Sequence, residues 1–216
     1  MKTAAVVLVM AAMPLMQAEV PLFEESFDGK LSDGWSWVRE DAAGWKLEGG
    51  ALRISPQPGT IWFKTNNARN LLVRTPPAAG TPEAPVAVEV EIDHAPAAEA
   101  EQSGLLFYVD DANYLKLVYE SLKGKTHIVF AREAKGIPAH LPTREEPSRP
   151  VRLRLLWTGT RIRGEYRPAA GTEWISVGEY DSVPGAARVG LMACGAPAGT
   201  DRWASFRAFR VVRAAR

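Results

Sequence analysis

Three acidic residues that alternate along one short stretch of the sequence have the types and spacing needed for acid–base chemistry. Glu89, Glu91 and Asp93 occupy every second position. In a β-strand such residues share one face, with neighbouring carboxylates about 7 Å apart, and glycosidases use paired carboxylates at about that separation. The same pattern is typical of the polar face of a structural strand whose other face is core. Both interpretations, a glycoside hydrolase and a structural strand face, follow from these residues.

A second set combines aromatic and polar side chains and suits a site for sugar. A sugar offers apolar C–H faces rimmed by hydroxyl groups, so its site needs an aromatic ring flanked by hydrogen-bonding groups. Trp37 and Trp62 are the candidate rings. The polar residues beside them in the sequence are Arg39, Glu40, Asn67 and Arg69. Core packing is the alternative for any single tryptophan, because most of the seven must be buried in a domain of this size. We assign Trp45, Trp157 and Trp174 to the core.

The elements that must position these side chains are β-strands, because apolar and polar residues alternate along most of the chain. Val86, Val88, Val90 and Ile92 form the clearest example, and Gly, Asn and Asp separate such runs. About thirteen strands at spacings of roughly 8–12 residues predict an all-β protein, a two-sheet antiparallel β-sandwich.

Four of these strands supply a further group of candidate ligand contacts. We expect residues 86–93, 102–109, 114–120 and 126–132 to form a meander whose outer faces coincide. The predicted core positions from residue 102 onward include Leu105, Phe107, Leu115, Leu117, Ile128 and Phe130. The residues out of phase with them, and therefore on the outer face, are Gln102, Tyr108, Lys116, Glu120 and His127. This set mixes donors, acceptors and a ring, so we predict that it contacts carbohydrate.

Two proline-rich stretches, residues 74–85 and 133–150, are interpreted as long loops within one domain of residues 19–216. Cutting the chain at either would leave too few strands to close two sheets. The second stretch is a candidate lid or partner-contact segment. Near the C-terminus, Arg207, Arg210, Arg213 and Arg216 suggest an exposed edge strand and tail.

The sequence predicts neither a cofactor nor a catalytic metal. His94, His127 and His140 are scattered, without the spacing of a zinc site. Neither a glycine-rich phosphate loop nor a nucleophile elbow is present. Cys194 is the only cysteine, so no intrachain disulfide is expected, and its apolar neighbours predict a buried, inert thiol.

The first eighteen residues have the pattern of a secretory signal peptide. Lys2 precedes an apolar run at residues 4–16, which is followed by small and polar residues. The run is shorter than the roughly 20 residues that span a bilayer. A buried N-terminal helix and a membrane anchor are the alternatives. We predict a secreted or periplasmic protein that has no membrane contact after cleavage near residue 18.

Composition and charge limit the classes of partner. Of the 216 residues, 46% are hydrophobic and 24% are charged, as in an ordinary globular domain. The 26 Lys and Arg nearly balance the 25 Asp and Glu. This balance argues against a nucleic acid or an anionic membrane recognised by bulk charge. We expect a monomer.

An ordered series of short motifs resembles a known family. In chain order the motifs are residues 25–29 (ESFDG), 35–41 (WSWVRED) with Trp45 after them, 66–72 (NNARNLL), 102–108 (QSGLLFY), 111–117 (DANYLKL) and 174–178 (WISVG). Together they resemble the concanavalin A-like domain at the C-terminus of family 43 β-xylosidases. They resemble still more closely its stand-alone relatives, which are largely of unknown function. The resemblance covers nearly all of residues 19–216 and implies a two-sheet jelly roll.

The resemblance does not carry catalysis with it. In the family, the acid and base lie on a separate propeller domain, which we expect this chain to lack. Retaining glucanases of a related jelly-roll fold carry a Glu-x-Asp-x-Glu strand, and this chain departs from it at Glu91 and Asp93. Jelly rolls that resemble this one sometimes hold a structural calcium between the first and last strands, which implies Asp28 as a candidate ligand.

We therefore expect a secreted, non-catalytic, lectin-like module that binds a polysaccharide or oligosaccharide of plant type. The first alternative is a divergent glycoside hydrolase that uses Glu89, Glu91 and Asp93. The second is an accessory domain that docks an exported glycosidase through residues 133–150.

Overall fold

The computed structural model describes residues 19–63 and 65–214, which form two eight-stranded antiparallel sheets. The predicted signal peptide, residues 1–18, lies outside the described residues. The strands are β1 (Val20–Glu25), β2 (Trp35–Val38), β3 (Trp45–Leu47), β4 (Leu52–Ile54), β5 (Leu71–Arg74), β6 (Val86–Asp93), β7 (Gln102–Asp110), β8 (Asn113–Leu122), β9 (Lys125–Ala134), β10 (Ile137–His140), β11 (Arg144–Glu145), β12 (Val151–Trp157), β13 (Arg161–Pro168), β14 (Ile175–Asp181), β15 (Arg188–Cys194) and β16 (Ala204–Arg213).

The first sheet has the order β14-β13-β12-β6-β16-β4-β3, and β1 also pairs with β16. The second has the order β10-β9-β8-β7-β15-β5-β2, and β11 also pairs with β9. Within the described residues, the only helical element is a short 3-10 turn, Ala42–Gly44. No helix in this part of the chain is long and apolar enough to cross a membrane.

The main core lies where the inner faces of the two sheets meet. Val88 and Val90 of β6 point into it from the first sheet, and both are almost fully buried. The predicted core positions of the second sheet all lie there: Leu105, Phe107, Leu115, Leu117, Ile128 and Phe130. The predicted all-β, two-sheet antiparallel sandwich is therefore confirmed.

The predicted four-strand meander is wrong in one strand. β7, β8 and β9 do form a meander, but β6 pairs with β12 and β16 in the first sheet. Alternation shows which residues share a face, but it does not identify the neighbouring strand. As a result, the acidic residues of β6 and the polar residues of β7–β9 lie on opposite outer faces of the sandwich.

The C-terminal strand is central, which corrects the prediction of an exposed edge. β16 lies between β6 on one side and β4 and β1 on the other. In the β16–β6 pair, Arg207 stands opposite Glu91 and Arg210 stands opposite Glu89. These carboxylates on the adjoining strand allow arginines to lie in the middle of the sheet. The prediction failed because the local sequence around the arginines does not show which strand they pair with. Arg216 lies outside the described residues.

The stretch of residues 133–150 is partly a strand region rather than a free loop. It contains β10 and β11, and both pair with β9 at the edge of the second sheet. These strands have four and two residues, too few to show the alternation that marks longer strands.

A buried carboxylate fastens the connection between β6 and β7. The Glu101 side chain is fully buried and accepts hydrogen bonds from the Ala97 and Ala98 amides at 3.1 and 2.9 Å. Arg202 donates to both of its oxygens, and His94 Nε2 lies 3.2 Å from Oε1. Burial alone would raise the pKa of Glu101, but its hydrogen bonds outweigh burial and hold the pKa well below its ordinary value.

The Glu101→Gln variant should lose about 1–3 kcal/mol of unfolding free energy at pH 7, because the Ala97 and Ala98 amides and the partly exposed Arg202 lose their charged acceptor. The pKa of Glu101 is lowered in the folded state, so its contribution is complete above the ordinary value of 4.5 and is lost as the pH falls. Urea unfolding should therefore show the gap between variant and parent narrowing from pH 7 to pH 3. Glu173→Gln, at an exposed position, is the control. Equal stability of Glu101→Gln and the parent at pH 7 would contradict this role.

Candidate functional site

The outer face of the second sheet carries a second apolar cluster instead of facing water. Residues 56–63 and 65–70, here named the covering segment, lie over this face. Ile61 and Ala68 of the segment are fully buried against the sheet. The sheet side chains in this cluster are Leu71, Val73, Leu106, Tyr108, Tyr114, Val118, Val129, Ala131, Met192 and Cys194. Strands β7–β9 therefore bury side chains on both faces.

Two buried polar side chains anchor the covering segment. The Tyr114 hydroxyl on β8 bonds to the Ile61 carbonyl oxygen and lies 3.0 Å from Glu133 Oε2. Glu133, on β9, also accepts a 2.8 Å hydrogen bond from the Phe63 amide. The buried position of Tyr114 and the charge of Glu133 raise the pKa of the Tyr114 hydroxyl, so it remains a proton donor. These bonds fix the segment on either side of Trp62.

A cavity of about 260 Å³ lies between the covering segment, the outer face of β7–β9 and the β10–β11 connection. Trp62 borders it on the segment side, and His140 and Thr143 border it on the opposite side. The remaining lining residues are Thr60, Ala100, Gln102, Lys116, Glu120, Leu122, Val129 and Ala131. The cavity thus brings together one aromatic ring, a set of apolar side chains and several hydrogen-bonding groups.

Three buried polar residues of the cavity form a linked series. Lys116 Nζ donates to Gln102 Oε1 at 2.7 Å and lies 5.2 Å from the centre of the Trp62 ring. Gln102 Nε2 donates to the Ala100 carbonyl oxygen at 3.0 Å and, at 3.5 Å, to Glu120 Oε1. Burial raises the pKa of Glu120, and the Lys116 charge opposes that rise. The amide of Gln102 therefore connects a buried cation to a buried carboxylate.

Two other members of the predicted outer-face set lie on that face but do not line the cavity. Tyr108 is buried in the outer cluster and donates to Asp111 Oδ1 at 2.8 Å. Burial and the Asp111 carboxylate raise the pKa of Tyr108 to about 12. His127 stands opposite Glu120 in the β8–β9 pair and is half-buried.

The structure separates the two candidate tryptophans. Trp62 borders the cavity, whereas Trp37 packs against the main core, with its ring centre 4.8 Å from that of Trp45. Trp37 lies on the inner face of β2, so it cannot serve the same site. Trp45 and Trp157 pack against the core as predicted, but Trp174 does not. Its ring is stacked on Arg154, 4.3 Å from the guanidinium carbon, on the outer face of the first sheet.

The polar residues near the two tryptophans make local structural contacts. Arg39 donates to the Ala68 carbonyl oxygen and to Asp111, each at 2.7 Å. Glu40 accepts a hydrogen bond from the Trp45 indole, Asn67 accepts one from the Thr60 amide, and Arg69 pairs with Asp41. Arg39 and Asn67 thus hold the covering segment in place, and none of the four lines the cavity.

The three acidic residues of β6 are each paired with arginine on the outer face of the first sheet. Glu89, only 4% exposed, bonds to Arg154 on β12 and, at 2.7 Å, to Arg210 Nε on β16. Both arginines also bond to Glu19. Glu91 accepts from Arg152 at 3.0 Å, and Asp93 lies 3.9 Å from Arg149. Glu89 and Arg154 therefore form a buried charge network, whereas Asp93 and Arg152 on the same face are exposed.

Glu91 also borders a depression of about 470 Å³ on this face. The other lining residues are Pro150, Arg152, Arg167, Pro168, Ala169, Gly171 and Thr172. Among the described residues that line this depression, none is aromatic. Although it is larger than the cavity beneath Trp62, it lacks the aromatic ring that covers the apolar face of a sugar.

The calcium site implied at Asp28 stays a prediction. Asp28 is exposed, and no group of three His, Cys, Asp or Glu side chains within residues 19–63 and 65–214 lies close enough together to hold a metal ion. Glu25, the nearest acid in the β1 strand, accepts from the Phe27 and Ser32 amides and the Trp35 indole. Cys194 is buried as predicted, and burial raises the pKa of its thiol to about 12.

Several residues that line the cavity are not among the predicted ligand contacts. Val129 and Ala131 alternate with the core residues of β9 and therefore point to its outer face, so the sequence pattern could have identified both. Thr60, His140 and Thr143 lie in short or irregular segments, and no local pattern marks them. They reach the cavity only because distant parts of the chain pack across the sheet.

Removing the Tyr114 hydroxyl should loosen the covering segment without disturbing the main core. In Tyr114→Phe, the Ile61 carbonyl oxygen and Glu133 each lose one hydrogen bond, so we expect a loss of about 1–3 kcal/mol of unfolding free energy. Amide hydrogen exchange should become faster at residues 60–63, while β6 and β12 change little. Uniform acceleration in both sheets, or none in the segment, would contradict the anchoring role.

Comparisons with known proteins agree with this architecture. A family model described as the beta xylosidase C-terminal concanavalin A-like domain matches residues 24–212. No curated protein sequence matches the chain.

Solved structures with the same fold include the GH43 protein BlXynB from Bacillus licheniformis, with a TM-score of 0.77 and 21% identity over 88% of this chain and 39% of that one. Xylan β-1,4-xylosidase from Bacillus halodurans C-125 gives a TM-score of 0.73 and 18% identity over 94% and 40%. A functionally unknown protein from Saccharomyces cerevisiae gives 0.64 and 17% over 84% and 97%. The chain thus spans about two fifths of these two GH43 structures and nearly all of the yeast protein. On the family match, the chain belongs to the concanavalin A-like domains that form the C-terminus of β-xylosidases.

Proposed function

We propose that this protein is a secreted, non-catalytic module that binds a polysaccharide or oligosaccharide in the cavity beneath Trp62. The observation that carries the proposal is the meeting, in one small cavity, of an aromatic ring, apolar side chains and the Lys116–Gln102–Glu120 series. Such a combination matches a sugar ring, which has apolar faces and a rim of hydroxyl groups.

Each part of the cavity has a separate task in this proposal. The Trp62 ring and the side chains of Leu122, Val129 and Ala131 cover the apolar C–H face of the sugar. The buried polar groups hydrogen-bond its hydroxyls. Because the anchored covering segment already holds Trp62 beside the sheet, the site is formed before the ligand arrives, which lowers the entropy cost of binding.

The family and the N-terminal pattern support the export and the non-catalytic parts of the proposal. The signal-like residues 1–18 favour secretion or entry into the periplasm. The matched family is a domain that accompanies β-xylosidase enzymes. A sugar-binding domain in that setting would hold polysaccharide near the enzymes that degrade it.

The structure gives less support to a hydrolase that uses the acidic residues of β6. A catalytic acid must be free to give its proton to the substrate. Glu89, Glu91 and Asp93 instead face arginines on β12, β16 and the segment before β12. We expect no reducing ends to be released from xylan or β-glucan. Release that disappears in the Glu89→Gln variant would replace the binding proposal with a hydrolase.

Native gel electrophoresis of residues 19–216 should show retardation by at least one of soluble xylan, mixed-linkage glucan, mannan and pectin. Trp62→Ala removes the aromatic wall, so the affinity should fall at least about tenfold, or roughly 1.4 kcal/mol. Trp203→Ala removes a half-buried tryptophan that does not line the cavity and should leave the retardation unchanged.

The outcomes of this experiment separate the alternatives. Retardation that is equally strong in Trp62→Ala, with the fold intact by circular dichroism, would place the sugar elsewhere. No retardation by any of the polysaccharides would contradict the binding proposal. It would favour an accessory domain that docks an exported glycosidase through residues 133–150, which co-purification with and without that segment can test.

A further inference from the structure

Glu120 has a hydrogen-bonding capacity that the protein itself does not use. It lines the cavity and is only 7% exposed. Its hydrogen bond from Gln102, at 3.5 Å to Oε1, is the only one it receives from the described residues. A carboxylate can accept about four hydrogen bonds, and buried polar groups are normally satisfied. Oxygen Oε2 therefore remains available to a ligand in the cavity.

The charges in the cavity are already balanced without a ligand. Lys116 supplies one positive charge, and Glu120 supplies one negative charge, with Gln102 between them. Lys116 is only 3% exposed, and its ammonium group contacts both Gln102 and the Trp62 ring. The other titratable groups near Glu120 are Glu99, His127 and His140. None of these is a Lys or Arg that would add a permanent positive charge.

Building on the proposed function, we infer that the cavity takes a neutral sugar unit whose adjacent hydroxyl groups donate to Glu120, and that it rejects sugars that carry a carboxylate. Two neighbouring hydroxyls match the two oxygens of one carboxylate and complete its hydrogen bonds. A uronic acid would instead place a second carboxylate in a buried site where Lys116 is the only Lys or Arg among the described lining residues. The uncompensated charge is costly in a poorly solvated site.

Matched sugars test this inference at pH 8, where carboxylates are ionised. The probes are D-xylose, L-arabinose, D-mannose, D-glucose with D-glucuronic acid, and D-galactose with D-galacturonic acid. Each acid differs from its neutral parent only at C6. Titrations of residues 19–216, followed by two-dimensional NMR, should give the tightest binding with a neutral sugar and at least tenfold weaker binding with both acids.

The variant Glu120→Gln distinguishes a ligand contact from a purely structural role, because only a ligand contact would change the preference for neutral over acidic sugars. It keeps the shape of the side chain but removes the negative charge and one acceptor. Binding of the best neutral sugar should weaken at least tenfold, and the preference for neutral over acidic sugars should shrink, because Lys116 is then unopposed. Glu145→Gln is the matched control, since Glu145 is exposed, pairs with Lys125 and does not line the cavity.

The outcomes distinguish this inference from the proposed function. Uronic acids that bind within tenfold of the best neutral sugar would overturn the inference and leave the binding function standing. A Glu120→Gln variant that is folded and keeps both the affinity and the preference of the parent would also overturn the inference. Failure of every one of these monosaccharides to bind would overturn the inference, and the absence of retardation by any polysaccharide would overturn the proposed function as well.

Discussion

The anchoring of the covering segment on the second sheet is the interaction on which the candidate site depends. Tyr114 and Glu133 hold the segment on either side of Trp62, and Ile61 and Ala68 bury its apolar side. Without this contact, the outer face of β7–β9 would be an open polar and apolar strand surface. With it, the same face becomes a bounded cavity in which Lys116 and Glu120 are almost fully buried.

Buried charges are compensated in different ways on the two outer faces of the sandwich. On the first sheet, charges are neutralised by direct arginine–carboxylate pairs between neighbouring strands, and Glu89 is shared by two arginines. On the second sheet, Lys116 and Glu120 are kept apart by the Gln102 amide. A direct ion pair leaves little bonding capacity for a ligand, whereas the separated arrangement leaves Glu120 with a free oxygen. This difference explains why the second sheet is the better candidate for recognition.

Most of the correct predictions came from the alternation of apolar and polar residues along each strand. It identified the sandwich, the core positions of β7–β9 and the outward placement of Gln102, Lys116 and Glu120. These features depend on the two-residue period of a strand, which is local. The role of these residues in sugar binding stays a prediction.

Other features depend on contacts between distant parts of the chain. The sequence around Trp37 and Trp62 offered no way to tell a core ring from a cavity ring, since the difference arises from β2 lying in the sheet and Trp62 lying above it. Pairing of β6 with β12 and β16, rather than β7, is likewise set by the whole sandwich. Thr60, His140 and Thr143 meet at the cavity for the same reason.

The most direct test of the account is an NMR titration that follows the indole N–H signals of the seven tryptophans as soluble xylan oligosaccharides or another retarding sugar is added. If the sugar occupies the cavity, the Trp62 signal should move with a saturable dose dependence. The signals of Trp174 and Trp203 should stay in place, because both rings lie outside the cavity lining. A titration that shifts Trp174 or Trp203 and leaves Trp62 unchanged would contradict the account.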